Sequence, residues 1–314
     1  MADGLAAMDV DASVVTRFTW DYESKDAKLR ELYEKAKSAQ WDAQRDIDWG
    51  RQITYGAPLA EPTAVTAELL HTLDDSPVPP ELRDAFRWEY HAWMTSQFLH
   101  GEQGALMATA RLVETVPDVD AKLYAASQVA DEARHVEAFA RYQKQLGVSY
   151  PVNPALSDML ASVIGDSRWD VIYLGNQIIV EGLALAAFRL RQASSFDPTI
   201  KQIIDLVARD ESRHVAFGVL ALRGLYDDMT SRELHEREEF VMESSLLMAR
   251  RFQLTEIWDR MDLDVEAGIA YTQQDEVMLS FRRLMFTKII ANLDKLSLLT
   301  PRVRRHLQQL SLMR

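Results

Sequence analysis

The chain has 314 residues, 47% hydrophobic and 26% charged, with 12 glycines and 10 prolines, the balance of a globular chain able to bury a large core. Its formal net charge of -13 excludes a surface built to track phosphates, so no nucleic-acid partner is expected. The absence of cysteine removes disulfides, zinc–thiolate sites and cysteine-ligated iron–sulfur clusters, and leaves nitrogen and oxygen as the ligands for any metal.

The N-terminus, MADGLAAMDVDASVV, is acidic and has no basic leader or signal-like core, and no uninterrupted apolar run approaches the ~20 residues of a membrane span. A cytoplasmic chain that does not enter a membrane is expected. Prolines punctuate the rest, because proline is excluded from helix interiors. They leave a predicted helix near 25–46, a loop-rich stretch to 80, and long helices near 80–115, 118–146, 167–193, 198–226 and 230–261. Shorter helices follow at 272–294 and 301–312. Capping chemistry stands at the entrances: Asp118 after Pro117, Asn153 before Pro154, Asp197 before Pro198, and Thr230 with Glu233 three residues later. No segment shows the period-2 alternation of a sheet, so the fold class is all-α. A single domain over 1–314 is expected, with a bundle core at about 80–226, an N-terminal cover segment at about 20–79 and C-terminal helices at about 230–314. The early segment YEKAKSAQWDAQRDIDW, with two tryptophans, is read as packing across the bundle.

Two Glu-x-x-His motifs stand in this core, Glu132 to His135 and Glu211 to His214. Residues three apart on a helix converge on one side, so each motif can offer a carboxylate and an imidazole to one ion. One such motif is weak, since a chain rich in glutamate yields about one by chance. The repeat is stronger. Glu102 precedes Glu132 by 30 residues, Glu181 precedes Glu211 by the same 30, and the two triplets are offset uniformly by 79. The hairpin turns fall at Pro117 and Phe196, each 15 residues from both glutamates of its pair. Fifteen residues is ~22 Å of helix, so the carboxylates of each hairpin lie at one level. Apolar neighbours place them inside, where four buried carboxylates require cations. Four-helix bundles that hold two iron or manganese ions use this ligand pattern, one Glu from each of two helices and Glu-x-x-His from the other two.

On these residues the chain resembles the ferritin-like di-iron carboxylate superfamily, which includes multicomponent monooxygenases, acyl-carrier-protein desaturases, ribonucleotide reductase small subunits and the p-aminobenzoate N-oxygenase. The resemblance implies a ferritin-like four-helix bundle with additional N- and C-terminal helices. It implies two iron ions, with manganese or a manganese–iron pair as alternatives: one on Glu102 and His135, the other on Glu181 and His214, with Glu132 and Glu211 between them. It also implies that Asp131 and Asp210 accept the imidazole N–H groups and that Arg134 and Arg213 neutralise those aspartates; ordinary ion pairing is the other reading of all four.

Three positions depart from relatives. Phe139 stands where reductase small subunits carry a radical tyrosine, Val207 where the N-oxygenase has a further metal histidine, and Leu185 where many hydrocarbon monooxygenases place a threonine. The implied function is a dioxygen-activating enzyme that hydroxylates, N-oxygenates or desaturates a small organic or acyl substrate. Electrons would come from a separate reductase or ferredoxin, and a homodimer is the implied assembly. Ferroxidase, iron storage or peroxide scavenging is one alternative, and a manganese or manganese–iron oxidase or catalase is another. His71, His91 and His100, lacking partners at ligand spacing, are read as core or surface residues. The aromatics Tyr90, Trp93, Phe98, Tyr124, Phe139, Tyr173 and Phe217 are read as core. Gly101, Gly104, Gly175 and Gly182 weaken helix interiors by ~1 kcal/mol each, for the sake of either close packing or space and distortion near the metals.

Overall fold

The computed structural model describes residues 7–59 and 76–314, and the described elements are all helical. Part of the loop-rich stretch, with His71, lies outside the described residues.

Capping decides where the helices begin. Helix α1 (Ala27–Ser38) starts on Asp26, whose carboxylate accepts from the N–H groups of Lys28 and Leu29. A 3-10 turn at Pro80–Leu82 leads into α2 (Arg83–Thr115). Helix α3 (Val119–Leu146) starts on Asp118 and stops at Gly147, at φ 74, where a side chain would be strained. Asn153–Pro154 opens a helix absent from the predicted set, α4 (Pro154–Gly165).

The predicted helix 167–193 is three pieces: α5 (Trp169–Tyr173), a π-helix over Leu174–Val180, and α6 (Glu181–Ser194). Asp197 and Pro198 begin α7 (Pro198–Leu222), and the Thr230/Glu233 capping box begins α8 (Ser231–Arg250). The predicted 230–261 breaks at a 3-10 turn over Arg251–Gln253 and at Leu254, φ 55, before α9 (Thr255–Arg260). Helices α10 (Val265–Gln274) and α11 (Glu276–Lys295) are divided by Asp275, which caps the second, and α12 (Pro301–Gln309) ends the chain. The predicted 25–46 stops at Ser38 because the Asp42 carboxylate takes the N–H groups of Gln44 and Arg45 and turns the chain.

Helices α2 and α3 form one hairpin and α6 and α7 the other, turning at Pro117 and Phe196 as expected, while α3 also packs on α7. This is the ferritin-like bundle. Helix α1 lies on α3 and α7, α11 on α6, and α4 between α2 and α8. The span Trp169–Gln192 is long and apolar enough to cross a bilayer, yet 89% of its most apolar window is buried inside the bundle. A helix apolar on all sides is also what a protein's central helix looks like.

Gly101, Gly104, Gly175 and Gly182 divide between the two readings. A Cβ on Gly104 would sit 2.3 Å from Leu160, and one on Gly175 would sit 2.4 Å from Val163, so these two allow close packing. Gly182 meets Ile289 at 3.2 Å, whereas Gly101 faces no atom within 4 Å. Gly175 also lies in the π-helix, so distortion and packing coincide there.

Candidate metal centre

The six residues of the repeat meet in the middle of the bundle. Glu102 and Glu181 are 5% and 2% exposed, and Glu132, His135, Glu211 and His214 are at most 1% exposed. Two overlapping groups have one ligand atom per residue within 4.8 Å of all the others: Glu102, Glu132, His135 and Glu211 in the first, and Glu132, Glu181 and His214 in the second. Glu132 belongs to both. Glu211 Oε1 lies 3.3 Å from His135 Nδ1 and also 3.3 Å from His214 Nδ1, so it too stands between the halves.

Both imidazoles are oriented alike. His135 Nδ1 faces Glu102 at 3.0 Å and Glu132 at 3.2 Å, and its Nε2–H donates to Asp210 at 3.1 Å. His214 Nδ1 faces Glu132 at 3.2 Å, and its Nε2–H donates to Asp131 at 3.2 Å. Each aspartate thus serves the histidine of the other Glu-x-x-His helix, fixing Nε2 as the protonated nitrogen and leaving Nδ1 to bind an ion. The aspartates are paired as well: Arg134 reaches Asp131 at 2.5 Å and Asp210 at 3.3 Å, and Arg213 pairs with Asp210. Ion pairing and imidazole orientation are therefore both present in the same four residues.

Burial and the neighbours set the proton balance. Burial pushes the Glu102 carboxyl well above the ordinary range, with His135 pulling the other way, and burial and Glu211 raise Glu181 likewise. For Glu132 burial is outweighed by His214 and His135, which hold it below the ordinary value. Burial lowers both imidazoles, but Glu102 and Asp210 around His135, and Glu211 and Glu132 around His214, hold them well above 6.5. Both oxygens of Glu211, Glu181 Oε2 and His214 Nδ1 are buried without a hydrogen-bond partner among the described residues. Buried lone pairs left open cost free energy, and two N/O-ligated metal ions fit them.

No family model and no curated protein matches the chain. Solved structures do. An R2-like ligand-binding oxidase with a valine-to-alanine change and an anaerobically reconstituted Mn/Fe cofactor is 20% identical, with 89% of this chain and 96% of that chain covered at a TM-score of 0.59. A glycine-to-leucine variant with an aerobically reconstituted Fe/Fe cofactor is 19% identical over the same shares, also at 0.59. The chain has the fold of the R2-like ligand-binding oxidases.

In this R2-like fold the centre opens on a narrow, mainly apolar cavity between α2, α6 and α11, with about 870 Å³ of space free of protein atoms, its mouth included. Glu102, Glu181 and Glu211 form part of its wall. All seven aromatics read as core are buried, and Tyr90, Trp93 and Phe98 also line this cavity. Phe139 stacks on Phe188 with ring centroids 6.1 Å apart, and Val207 is fully buried. Leu185 is buried and lines no part of the cavity. His91 is buried against Tyr142, and His100 bonds the Tyr150 carbonyl, so neither joins the centre.

Four residues around the centre escape the sequence motifs. Trp41 donates its indole N–H to Asp210 at 2.8 Å, and Gln40 donates to Asp131 at 3.1 Å, so the turn after α1 reaches the aspartates. The Gln128 amide donates to Glu132 at 3.0 Å and Glu181 at 2.8 Å, and Asn176 donates to Glu181 at 2.6 Å. Gln128 sits four residues before Glu132, one turn away on the same face, a spacing that could have revealed it. Asn176 gives no such signal. Five residues before Glu181 on an α-helix is about 140° away around the axis, whereas in a π-helix, bonded i to i+5, it is close to one full turn.

Proposed function

We propose that this chain holds two transition-metal ions, iron with iron or manganese with iron, on Glu102, Glu132, His135, Glu181, Glu211 and His214. On this reading it is a dioxygen-dependent oxidase acting on a small apolar organic molecule. The observation that carries the reading is the pairing of two overlapping, buried N/O ligand groups with an apolar cavity that ends on three of their glutamates. Such ions, when reduced, supply electrons to bound dioxygen and thereby an oxidant for a C–H or N–H bond.

The residues around that centre prepare it. Asp131 and Asp210 hold the imidazole N–H groups and keep Nδ1 free, while Arg134 and Arg213 offset the aspartate charges. Gln128 and Asn176 fix Glu181 Oε1. Trp93, Phe98, Phe252 and Phe281 line the cavity and keep water from the glutamates. Hydroxylation, N-oxygenation and desaturation all suit this arrangement, and a cavity of this lining suits an organic substrate better than a hydrated ferrous ion. Electrons would come from a separate reductase or ferredoxin, because the sequence has no cysteine for a cluster and no GxGxxG fingerprint.

The test is anaerobic reconstitution with ferrous iron followed by dioxygen. Two ions per chain and a dioxygen-dependent absorption band are expected, with both lost in Glu132→Ala, which removes the residue common to the two groups. Failure of the wild-type chain to take up two ions would end the reading.

A further inference from the structure

Acidic residues outnumber Lys and Arg in this chain, 48 to 35, yet the charged side chains lining one surface recess are all cations. The recess lies where α6, α7 and α11 meet, on the face of α6 turned away from the apolar cavity. Leu183, Ala184 and Ala187 line the cavity, whereas Gly182, Leu185 and Arg189 line the recess. Its other cations are Arg223 at the end of α7 and Lys288 and Lys295 of α11, and all four are exposed. None of the four makes an ion pair among the described residues. On α7 itself, by contrast, Arg209 and Arg213 are paired with Asp205 and Asp210. Cations gathered around one concave wall without an acid repel one another, and an anion relieves that repulsion.

A second observation lies on the floor. Asn292 is 5% exposed and lines the recess, yet its Nδ2 has no acceptor among the described residues. A buried amide N–H left open costs free energy that a ligand oxygen recovers. Lys288 and Lys295 stand four before and three after it, on the same face of α11. The Ser212 hydroxyl adds a donor from α7, and Leu185, Val215, Val219 and Leu220 supply apolar wall. About 810 Å³ of space is free of protein atoms there, the mouth included, which suits a small molecule. Contact with the surface of an acidic protein would cover the cations but leave the Asn292 N–H unmet. Several cations and two neutral donors call for an anion of more than one charge with several acceptor oxygens, and a phosphate monoester has both.

We propose that the recess between α6, α7 and α11 binds a small organic phosphate, its phosphate oxygens on Asn292, Ser212 and the surrounding cations and its apolar body on Leu185, Val215, Val219 and Leu220. The site stands whatever the six ligands of the centre hold.

Calorimetric titration of the purified chain, with and without reconstituted iron, tests this with three probes. They are 1-naphthyl phosphate, 1-naphthol, which lacks the charge, and inorganic phosphate, which lacks the apolar body. Naphthyl phosphate is expected to bind at least ~10-fold more tightly than either, the scale of one charge-assisted hydrogen bond. Lys288→Gln combined with Lys295→Gln should weaken it by ~10-fold or more, and Asn292→Asp, nearly equal in shape, should abolish it. Arg304→Gln combined with Arg305→Gln makes the same charge change on α12, which packs on α8, and should leave binding unchanged. Either control probe matching naphthyl phosphate, or no binding of naphthyl phosphate at all, overturns the proposal. So does an equal loss in the two double variants, which would mark long-range attraction in place of a site. Binding that withstands Asn292→Asp and vanishes without iron puts the phosphate on the ions and overturns it as well. Hexaglutamate binding more tightly than naphthyl phosphate, with the same dependence on Lys288 and Lys295, overturns it in favour of an acidic protein segment.

Discussion

Asp131 and Asp210 bind the histidine of the opposite helix, so each ties α3 to α7 as well as orienting an imidazole. Asp210 is the more connected, taking Trp41, His135 and both arginines. Asp210→Asn keeps the shape but loses the charge that holds the His135 N–H. Metal affinity should fall by ~10–100-fold, read by competition with a chromophoric chelator, and wild-type affinity in this variant would refute the positioning role. At Glu181 the support is two amides, from Gln128 and Asn176, on one oxygen. Replacing Asn176 by Leu removes the shorter bond and is expected to weaken the ion held by Glu132, Glu181 and His214 more than the other. A titration followed by metal analysis should then resolve two steps where wild type shows them closer together.

At the level of elements, the glycines of α2 separate packing from space. Gly104 lies against Leu160, so Gly104→Ala forces Leu160 or the helix aside and should cost ~1–3 kcal/mol. Gly101 faces open cavity, so Gly101→Ala should stabilise the chain by up to ~1 kcal/mol through helix propensity alone. Urea unfolding of the metal-free proteins compares the two, and shifts of the same sign would contradict the assignment. The π-helix at Leu174–Val180 is the other decisive element, because its wider turn brings Asn176 to Glu181. Local propensity does not specify it; the approach of Val163 and Phe240 to Gly175 accompanies it and comes from distant parts of the chain.

For the molecule as a whole, metal loading and protonation are linked. Burial raises Glu102 and Glu181 well above 4.5, and the surrounding carboxylates raise His135 and His214 well above 6.5, so all four groups hold their protons to higher pH in the metal-free chain than they would free in water. Metal binding needs these groups deprotonated, so it releases protons. Since the protonated state competes with the metal, affinity is expected to rise as pH rises and to fall as pH drops. Titrations in buffers of different ionisation enthalpy count the protons directly, and a value near zero would contradict the proton assignment. Loading should also raise the unfolding temperature, since the unfolded chain does not hold the ligands together.

The repeat of Glu102, Glu132 and His135 at Glu181, Glu211 and His214 was legible because helical hairpins turn linear spacing into height: equal arms on either side of Pro117 and Phe196 put the carboxylates on one level. The caps were legible too, since Asp118, Asp197 and Thr230 act on N–H groups within three residues. Such interactions are local, and a sequence by itself determines them. Only the tertiary structure decided that Asp131 serves His214 and Asp210 serves His135, that Trp41 reaches across 169 residues, and that Asn176 sits one wide turn from Glu181. It likewise gathered Arg189, Arg223, Lys288 and Lys295 around one recess. Those contacts join groups far apart in the chain, and their geometry is set by how whole helices pack, which no local spacing records.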